Sequence, residues 1–351
     1  MKQTTPYTLC NIIFLPSTLY QNTSILFPQL SALYQEINSV LPRIYIGSSN
    51  VYSELYPDDF KHFLSHLETF YSINLHEAIF ISSADNELSA LKEQQLSAIA
   101  YKNPHLSNQE LFHSSYLFEH VSDLNMENIC MAYQRFYHLP ITILNTKHLI
   151  LRELTVSDMK QLFTMYQEPS MTRFIPKEIS LQELEKKHVA YIRNHYEFYE
   201  YGLWGVFLKD SDTLIGRCGV QQPSELPPDI KNLFMDTDGT ILELSYMIDT
   251  HFQHKGYALE ITRAILNYVC HTLECYNIIS FISPENLPSI KLAEHLNMKP
   301  YKNFYHNGYN CTLYYLDLKK KYLRSREHVL HSFANNPDTK VYGKRYQHVQ
   351  K

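Results

Sequence analysis

The sequence predicts an α/β chain folded as two domains, and three observations carry that reading. Its 351 residues are enough for two cores of ordinary size. Before Pro140, short apolar runs alternate with helical patterns, which implies a parallel sheet covered on both faces. After Pro140 the pattern changes: strand hairpins flank one strand–turn–helix unit with a glycine at its turn. The boundaries expected are a first domain over 1–140, a second over 141–320 and a tail over 321–351.

In the first domain, residues 9–15 (LCNIIFL) read as a strand and 27–40 as a helix. Pro42 introduces RIYIGSS, a second strand whose Gly47-Ser48-Ser49 end reads as a strand-to-helix turn or an anion site. Residues 58–71 are amphipathic, with Phe60, Phe63, Leu64 and Leu67 on one face. AIFI (78–81) and SAIAY (97–101) make the third and fourth strands, with a helix over 87–95 between them and a short fifth strand at 116–118. Asp85 is expected as the N-cap of that helix and as the one carboxylate at this sheet edge. A helix over 126–137 ends at Pro140.

The stretch AIFISSADNELSALKEQQLSAIAYKNP resembles the C-terminal half of haloacid dehalogenase-type phosphatases, and NIIFLPSTL is similar to that family's opening strand. The resemblance implies a Rossmann-like, dehalogenase-like domain that is degenerate. Leu15 and Ser17 stand where the family carries its aspartate nucleophile and acid, and Ser82 and Ser83 where it carries a later acidic pair. Phosphoryl transfer there needs a carboxylate nucleophile and carboxylates for Mg²⁺. Hydrolysis is therefore not expected of this domain.

The second domain opens with a strand over 147–154 and a helix over 156–166. Ser180 and Glu183 form a capping box for a helix running to about residue 199. Strands 203–208 and 213–220 enclose the turn Lys209-Asp210-Ser211-Asp212, and 221–240 is a Pro- and Asp-rich loop. Residues 241–248 form the central strand, and Leu259, Ile261, Ile265, Leu266, Val269 and Leu273 recur at helical spacing after it. A strand over 277–282, a helix over 287–296 and two strands around His306-Asn307-Gly308 complete the order.

Between central strand and helix lies Gln253-His254-Lys255-Gly256-Tyr257-Ala258. The first turn of a helix offers unpaired N–H groups and the positive end of the dipole, so this geometry suits a phosphate. The segment resembles motif A of the GNAT N-acetyltransferases, Arg/Gln-x-x-Gly-x-Gly/Ala, with Gln253, Gly256 and Ala258 at the defining positions. Asn286-x-x-Ser289 resembles motif B, and the likeness spans about half the chain, closest to the Rim-type branch. It implies an α+β domain with a mixed, mostly antiparallel sheet. It also implies acetyl-coenzyme A as co-substrate, bound by residues 253–258, by backbone N–H groups at Met247 and Ile248, and by Asn286. The acceptor it implies is a primary amine, either a protein N-terminus or a small molecule.

Acetyl transfer requires that the amine lose a proton, that the oxyanion be stabilised and that the leaving thiolate be protonated. Glu243 is the carboxylate best placed to draw the proton through water, against the plainer reading of a strand-edge surface Glu. Ser289 matches the Rim-type hydroxyl that faces the thiolate. Other GNAT enzymes use a Tyr one turn on, where this chain has Ala293, so Tyr301 is kept in reserve.

A formal charge of −5 argues against a dedicated nucleic-acid binder. Six scattered cysteines without a C-x-x-C pair, and no leader or apolar span, point to a reduced cytoplasmic protein with no membrane contact. No metal-ligand spacing is present among the histidines. Residues 319–351 hold nine Lys/Arg against Glu327 and Asp338, which fits a solvated tail or a contact for RNA or an acidic partner. An oligomer is left open. The other functional class in view is a non-catalytic binding or regulatory protein with two degenerate enzyme folds.

Overall fold

In β1 (Asn11–Phe14) successive side chains feed two different cores. Ile12 and Phe14 pack with Ile79, Ile81, Ile99 and Tyr101, whereas Ile13 joins Leu64, Leu67, Phe80 and Leu91. Ile12, Ile13 and Phe14 are buried on both faces and so are apolar in succession, which is why no polar alternation marks them in the sequence. The computed structural model describes residues 8–19, 28–29, 32–33, 43–46, 60–173, 180–224, 226, 230, 240–306 and 309–319. Two units emerge from it, 1–139 and 140–351. The expected helix over 27–40, the Gly47 turn, the Asn307-Gly308 turn, most of the 221–240 loop and the basic tail lie mainly outside the described residues.

The first unit adds β2 (Arg43–Ile46), α1 (Phe60–Tyr71), β3 (Ala78–Ser82), α2 (Asp85–Glu93), β4 (Ser97–Tyr101), β5 (Leu117–Phe118) and α3 (Met126–Phe136). Among the described residues the sheet order is β2-β1-β3-β4-β5, and every pairing is parallel. Residues Ile129, Ala132 and Tyr133 of α3 cover one face, and Phe63, Leu64 and Leu67 of α1 cover the other.

Two expectations at the sheet edge are corrected. Ala84, not Asp85, is the N-cap of α2, because the Asp85 carboxylate is engaged elsewhere: it accepts the His113 backbone N–H at 3.1 Å and pairs with His113 Nδ1 at 2.7 Å. Nor is Asp85 the one carboxylate there. Glu87 reaches back to the strand ends, where its Oε2 accepts Ser17 Oγ at 2.7 Å and Ser82 Oγ at 2.6 Å. The hydroxyl oxygens in turn accept Ser83 N and Ala84 N. Burial pushes the Glu87 carboxyl above its ordinary range, with the two serine bonds pulling the other way.

In the second unit the elements are β6 (Thr142–Asn145), β7 (Leu149–Arg152), α4 (Met159–Gln167), α5 (Leu181–Tyr191), β8 (Leu203–Leu208), β9 (Leu214–Gln221) and β10 (Ile241–Ile248). They continue with α6 (Tyr257–His271), β11 (Asn277–Ile282), α7 (Leu287–His295), β12 (Lys299–His306) and β13 (Tyr309–Asp317). Among the described residues the sheet order is β12-β13-β11-β10-β9-β8-β7-β6, antiparallel except for β10 against β11. β6 was not expected: four residues directly after Pro140 give too short a pattern to read.

The helix expected to reach residue 199 stops being α-helical at Tyr191 and widens into a π-helix over Ile192–Glu197. The reason is the strand beneath. Leu203 N donates to the Tyr191 hydroxyl at 2.7 Å, and the Tyr196 hydroxyl donates to Leu203 O at 2.6 Å. Tyrosines five residues apart reach one backbone position more readily on a wider turn.

Glu87 yields a signed prediction. A carboxyl whose folded value is raised leaves the folded unit holding more protons than the unfolded chain, so its contribution is complete below the unfolded value and is lost as pH rises through the folded one. Glu87→Gln keeps an oxygen for both serines and should lack that loss. Its Tm should exceed that of the native protein at about pH 7, with the gap closing toward about pH 4 in a thermal series.

Candidate active site

The parallel pair β10–β11 is short. Its register runs from Ile241↔Asn277 to Glu243↔Ile279 and ends there, although β10 continues to Ile248 and β11 to Ile282. Beyond that point β10 stays on β9, unbroken from Glu243↔Gln221 to Ile248↔Gly216, and β11 stays on β13. The two central strands fork. At the branch point the Ser280 hydroxyl donates to Leu244 O at 2.5 Å, replacing the ladder bond that is lost.

The fork decides which backbone groups are on offer. Asp249 N donates to Ile215 O, one step past the Ile248↔Gly216 pair. Bonded pairs alternate in an antiparallel ladder, so Met247 and Ser245 also turn their N–H and C=O groups toward β9. Leu244, Tyr246 and Ile248 turn theirs into the fork. Of the two backbone donors expected, Ile248 therefore fits and Met247 does not; Tyr246 takes its place. Side chains divide by the same count. Glu243, Ser245 and Met247 share one face, where Met247 packs with Leu162 of α4 and Leu184 of α5. Tyr246 is on the other face with its cross-strand neighbours Cys218 and Trp204, and Trp204 meets Tyr268 of α6 edge-on at 5.8 Å.

Where β10 ends, the chain makes a tight passage into α6. Asp249 caps a 3₁₀ turn over Thr250–Phe252 by accepting His251 N at 2.9 Å. Gln253 Nε2 then donates to Ile248 O at 2.8 Å, so this side chain fastens the turn to the strand. Lys255 Nζ lies 5.1 Å from the centre of the Phe252 ring. His254 and Gly256 both have positive φ, 59° and 84°. At Gly256 this left-handed backbone favours glycine, and an added Cβ would meet nothing within 4 Å. The first helical bond runs from Glu260 N to Gly256 O, so the N–H groups of Tyr257, Ala258 and Leu259 precede the intrahelical ladder. An anion is accommodated at such a place.

Glu243 is held at the branch itself. Ser245 Oγ donates to its carboxyl at 3.2 Å, and its cross-strand partner Gln221 adds a second side-chain bond. Burial outweighs both and pushes the carboxyl above its ordinary range. Across the fork, Asn286 caps α7 by accepting Ser289 N at 3.2 Å, which puts Ser289 in the first turn of that helix. Tyr301 comes to the Glu243 end of the fork, through Ile279, the cross-strand partner of Glu243, and not to the first turn of α7. It belongs to the edge strand β12 and packs against a cluster that includes Ile241, Ile279 and Leu313. Ala293 is buried, 1% exposed.

Residues 148–299 match the acetyltransferase (GNAT) domain family. The second unit carries a GNAT acetyltransferase domain. Over 157 residues it is 26% identical to the uncharacterized N-acetyltransferase YnaD of Bacillus subtilis, a match covering 44% of this chain and 82% of that one. The uncharacterized N-acetyltransferase p20 of Bacillus licheniformis is 22% identical over the same shares. The solved GNAT-family acetyltransferase from Bacillus anthracis is 16% identical, with 50% of this chain and 98% of that one covered at a TM-score of 0.41.

Three residues of this candidate site escape a reading of the sequence. Tyr246 sits in an apolar strand, where an aromatic residue reads as core. Ser280 is a lone hydroxyl in NIISFI, a hint that some polar atom needs a donor there. Glu260, in the first turns of α6, accepts Thr146 Oγ at 2.6 Å and His148 N and Nδ1, both at 2.8 Å, which ties the start of the helix to the β6–β7 turn. Those bonds prevail over burial and draw the Glu260 carboxyl below its ordinary range. Its contribution is thus present above the unfolded value and lost as pH falls through the folded one. Glu260→Ala should destabilise the unit by about 1–3 kcal/mol in urea melts near neutral pH, since it removes the acceptor of three donors, and by less in acid.

Proposed function

We propose that this chain is an acetyl-coenzyme A-dependent N-acetyltransferase of the Rim-type branch, acting on a primary amine by direct attack on the thioester. The observation that carries the reading is the start of α6: three N–H groups ahead of the helical ladder, beneath a left-handed Gly256 with open space above it, at the wide end of the fork. That is a fit for a pyrophosphate. Tyr257 and Ala258 would hold it through their N–H groups, with Lys255 and His254 beside them, while Gln253 keeps the turn in shape.

The fork suits the pantetheine arm, whose amides would pair with the strand groups that face it, chiefly at Tyr246 and Ile248. In that reading Asn286 orders the first turn of α7 next to the arm. Coenzyme A supplies an activated acyl group and a good leaving thiol. Glu243 takes the amine's proton, directly or through water, and its raised carboxyl suits a base that must act on an ammonium-derived nitrogen. The leaving sulfur departs toward the first turn of α7. The acceptor is a protein N-terminus or a small amine, and the setting is cytoplasmic. Among the described residues no helix is long and apolar enough to cross a membrane, and no group of three or more His, Cys, Asp or Glu could hold a metal ion. The first unit fits as a non-hydrolytic relative of the dehalogenase fold, since Glu87 is committed to two serines. The 321–351 tail is proposed as a contact for RNA or an acidic partner.

Calorimetric titration of acetyl-coenzyme A tests the reading directly. We expect about micromolar binding that Gly256→Glu weakens by about 100-fold or more, while Gly256→Ala, equally strained but uncharged, keeps more of it. Failure of the native protein to bind would overturn the assignment. Glu243→Gln should lower kcat by about 100-fold or more with little effect on cofactor affinity. In the native enzyme kcat/KM should fall as pH is lowered through a value above the ordinary carboxylate range, and the Gln variant should lose that limb.

A further inference from the structure

We propose that Tyr246 is the proton donor to the departing coenzyme A sulfur, an assignment that rests on the acetyl-transfer function above. Tyr246 lies on the half of β10 that has left β11, two residues before the strand's end. Its side chain spans the fork: the phenol donates to Ser289 O in the first turn of α7, at 3.3 Å. That bond is long for O–H···O, and a neutral carbonyl holds a proton far less strongly than a thiolate would. The donor is in place but lightly held.

Its surroundings keep it a donor. Burial pushes the phenol up to about 12, with a bond to the Ser289 side chain, distinct from the carbonyl contact, pulling the other way, and the Cys218 thiol that faces it from β9 is itself pushed well up by burial. Neither group is an anion near neutral pH. The placement also divides the chemistry. Glu243 and Tyr246 are three residues apart on one strand, about 10 Å along it and on opposite faces. The amine can approach from the Glu243 face while the sulfur leaves on the other.

The protons balance. The amine nitrogen bonds to the thioester carbon and loses one proton to Glu243; the carbon–sulfur bond breaks and the sulfur takes the phenol proton. The phenoxide is restored by the proton Glu243 releases to solvent. The other hydroxyls fit less well. Tyr301 is on the edge strand, and Ser289 is an alcohol, a much weaker acid than a phenol.

The test compares native protein, Tyr246→Phe, Ser289→Ala and a chain carrying 2,3,5-trifluorotyrosine at position 246, with acetyl-coenzyme A and a panel of primary amines. Circular dichroism and cofactor titration would check that each variant folds and binds. We expect Tyr246→Phe to lose about 100-fold in kcat with Kd for acetyl-coenzyme A within about twofold, and Ser289→Ala to lose less than about fivefold. The fluorinated phenol, similar in shape and far more acidic, should bring an alkaline limb into the measurable kcat profile that the native protein lacks. A purely structural tyrosine would not produce that limb. Full kcat in Tyr246→Phe, or an unaltered profile with the fluorinated residue, would overturn the assignment while leaving acetyl transfer intact. Binding without turnover in the native protein would remove both.

Discussion

The hydrogen bond from Ser280 to Leu244 O marks where the second unit stops being an ordinary sheet. Two neighbouring central strands cannot separate without exposing ladder groups, and buried polar groups left unpaired are costly. Here the cost is met locally. A hydroxyl on β11 satisfies the first carbonyl past the branch, and the Gln253 amide satisfies Ile248 O at the far end. Between them the strand keeps its full ladder to β9, so the fork opens on one side only. The start of α6 and the start of α7 follow the two diverging strands, which is why the Gly256 turn and the capped turn at Asn286 stand at separate mouths of one cleft.

Much of this organisation was legible. A strand, a turn with one glycine and an amphipathic helix are local patterns, and 241–271 follows them closely. The point where the fork begins was not, because it depends on which residues of a strand 36 positions away still pair with β10. The same limit explains the backbone donors: only the ladder's phase, fixed by Asp249 and Ile215, decides that Tyr246 and Ile248 face the cleft and Met247 does not. Gln253 was read as a ligand contact, and its side chain instead closes the turn. The π-helix was invisible because it follows from two tyrosine hydroxyls meeting Leu203, a tertiary demand on an otherwise regular helical pattern.

The first unit shows a related economy. Its strands read as buried on both faces, but its edge chemistry does not, because Glu87 lies with Asp85 in the first turn of α2, where an acidic residue ordinarily serves the helix terminus. In the fold it points back at the strand ends, and two serines take both of their hydroxyl hydrogens to one carboxylate oxygen. A carboxyl group that could have served a ligand is committed, through its oxygen, to the two serines at the ends of β1 and β3. The two units thus treat the ends of their central strands oppositely: one knits them shut, the other parts them.

The alternation along β10 has a consequence for how this domain can change over time. Glu243 and Tyr246 differ in parity, and a ladder of six consecutive pairs without a bulge keeps that difference fixed. Point substitutions at 244, 245 or 247 alter shape and polarity but leave the two faces distinct. A single inserted or deleted residue between 243 and 246 would rotate everything beyond it by half a turn and send both groups to the same side. The segment should therefore tolerate exchange of residues far better than any change in their number, so length rather than identity is the constraint that β10 places on its descendants.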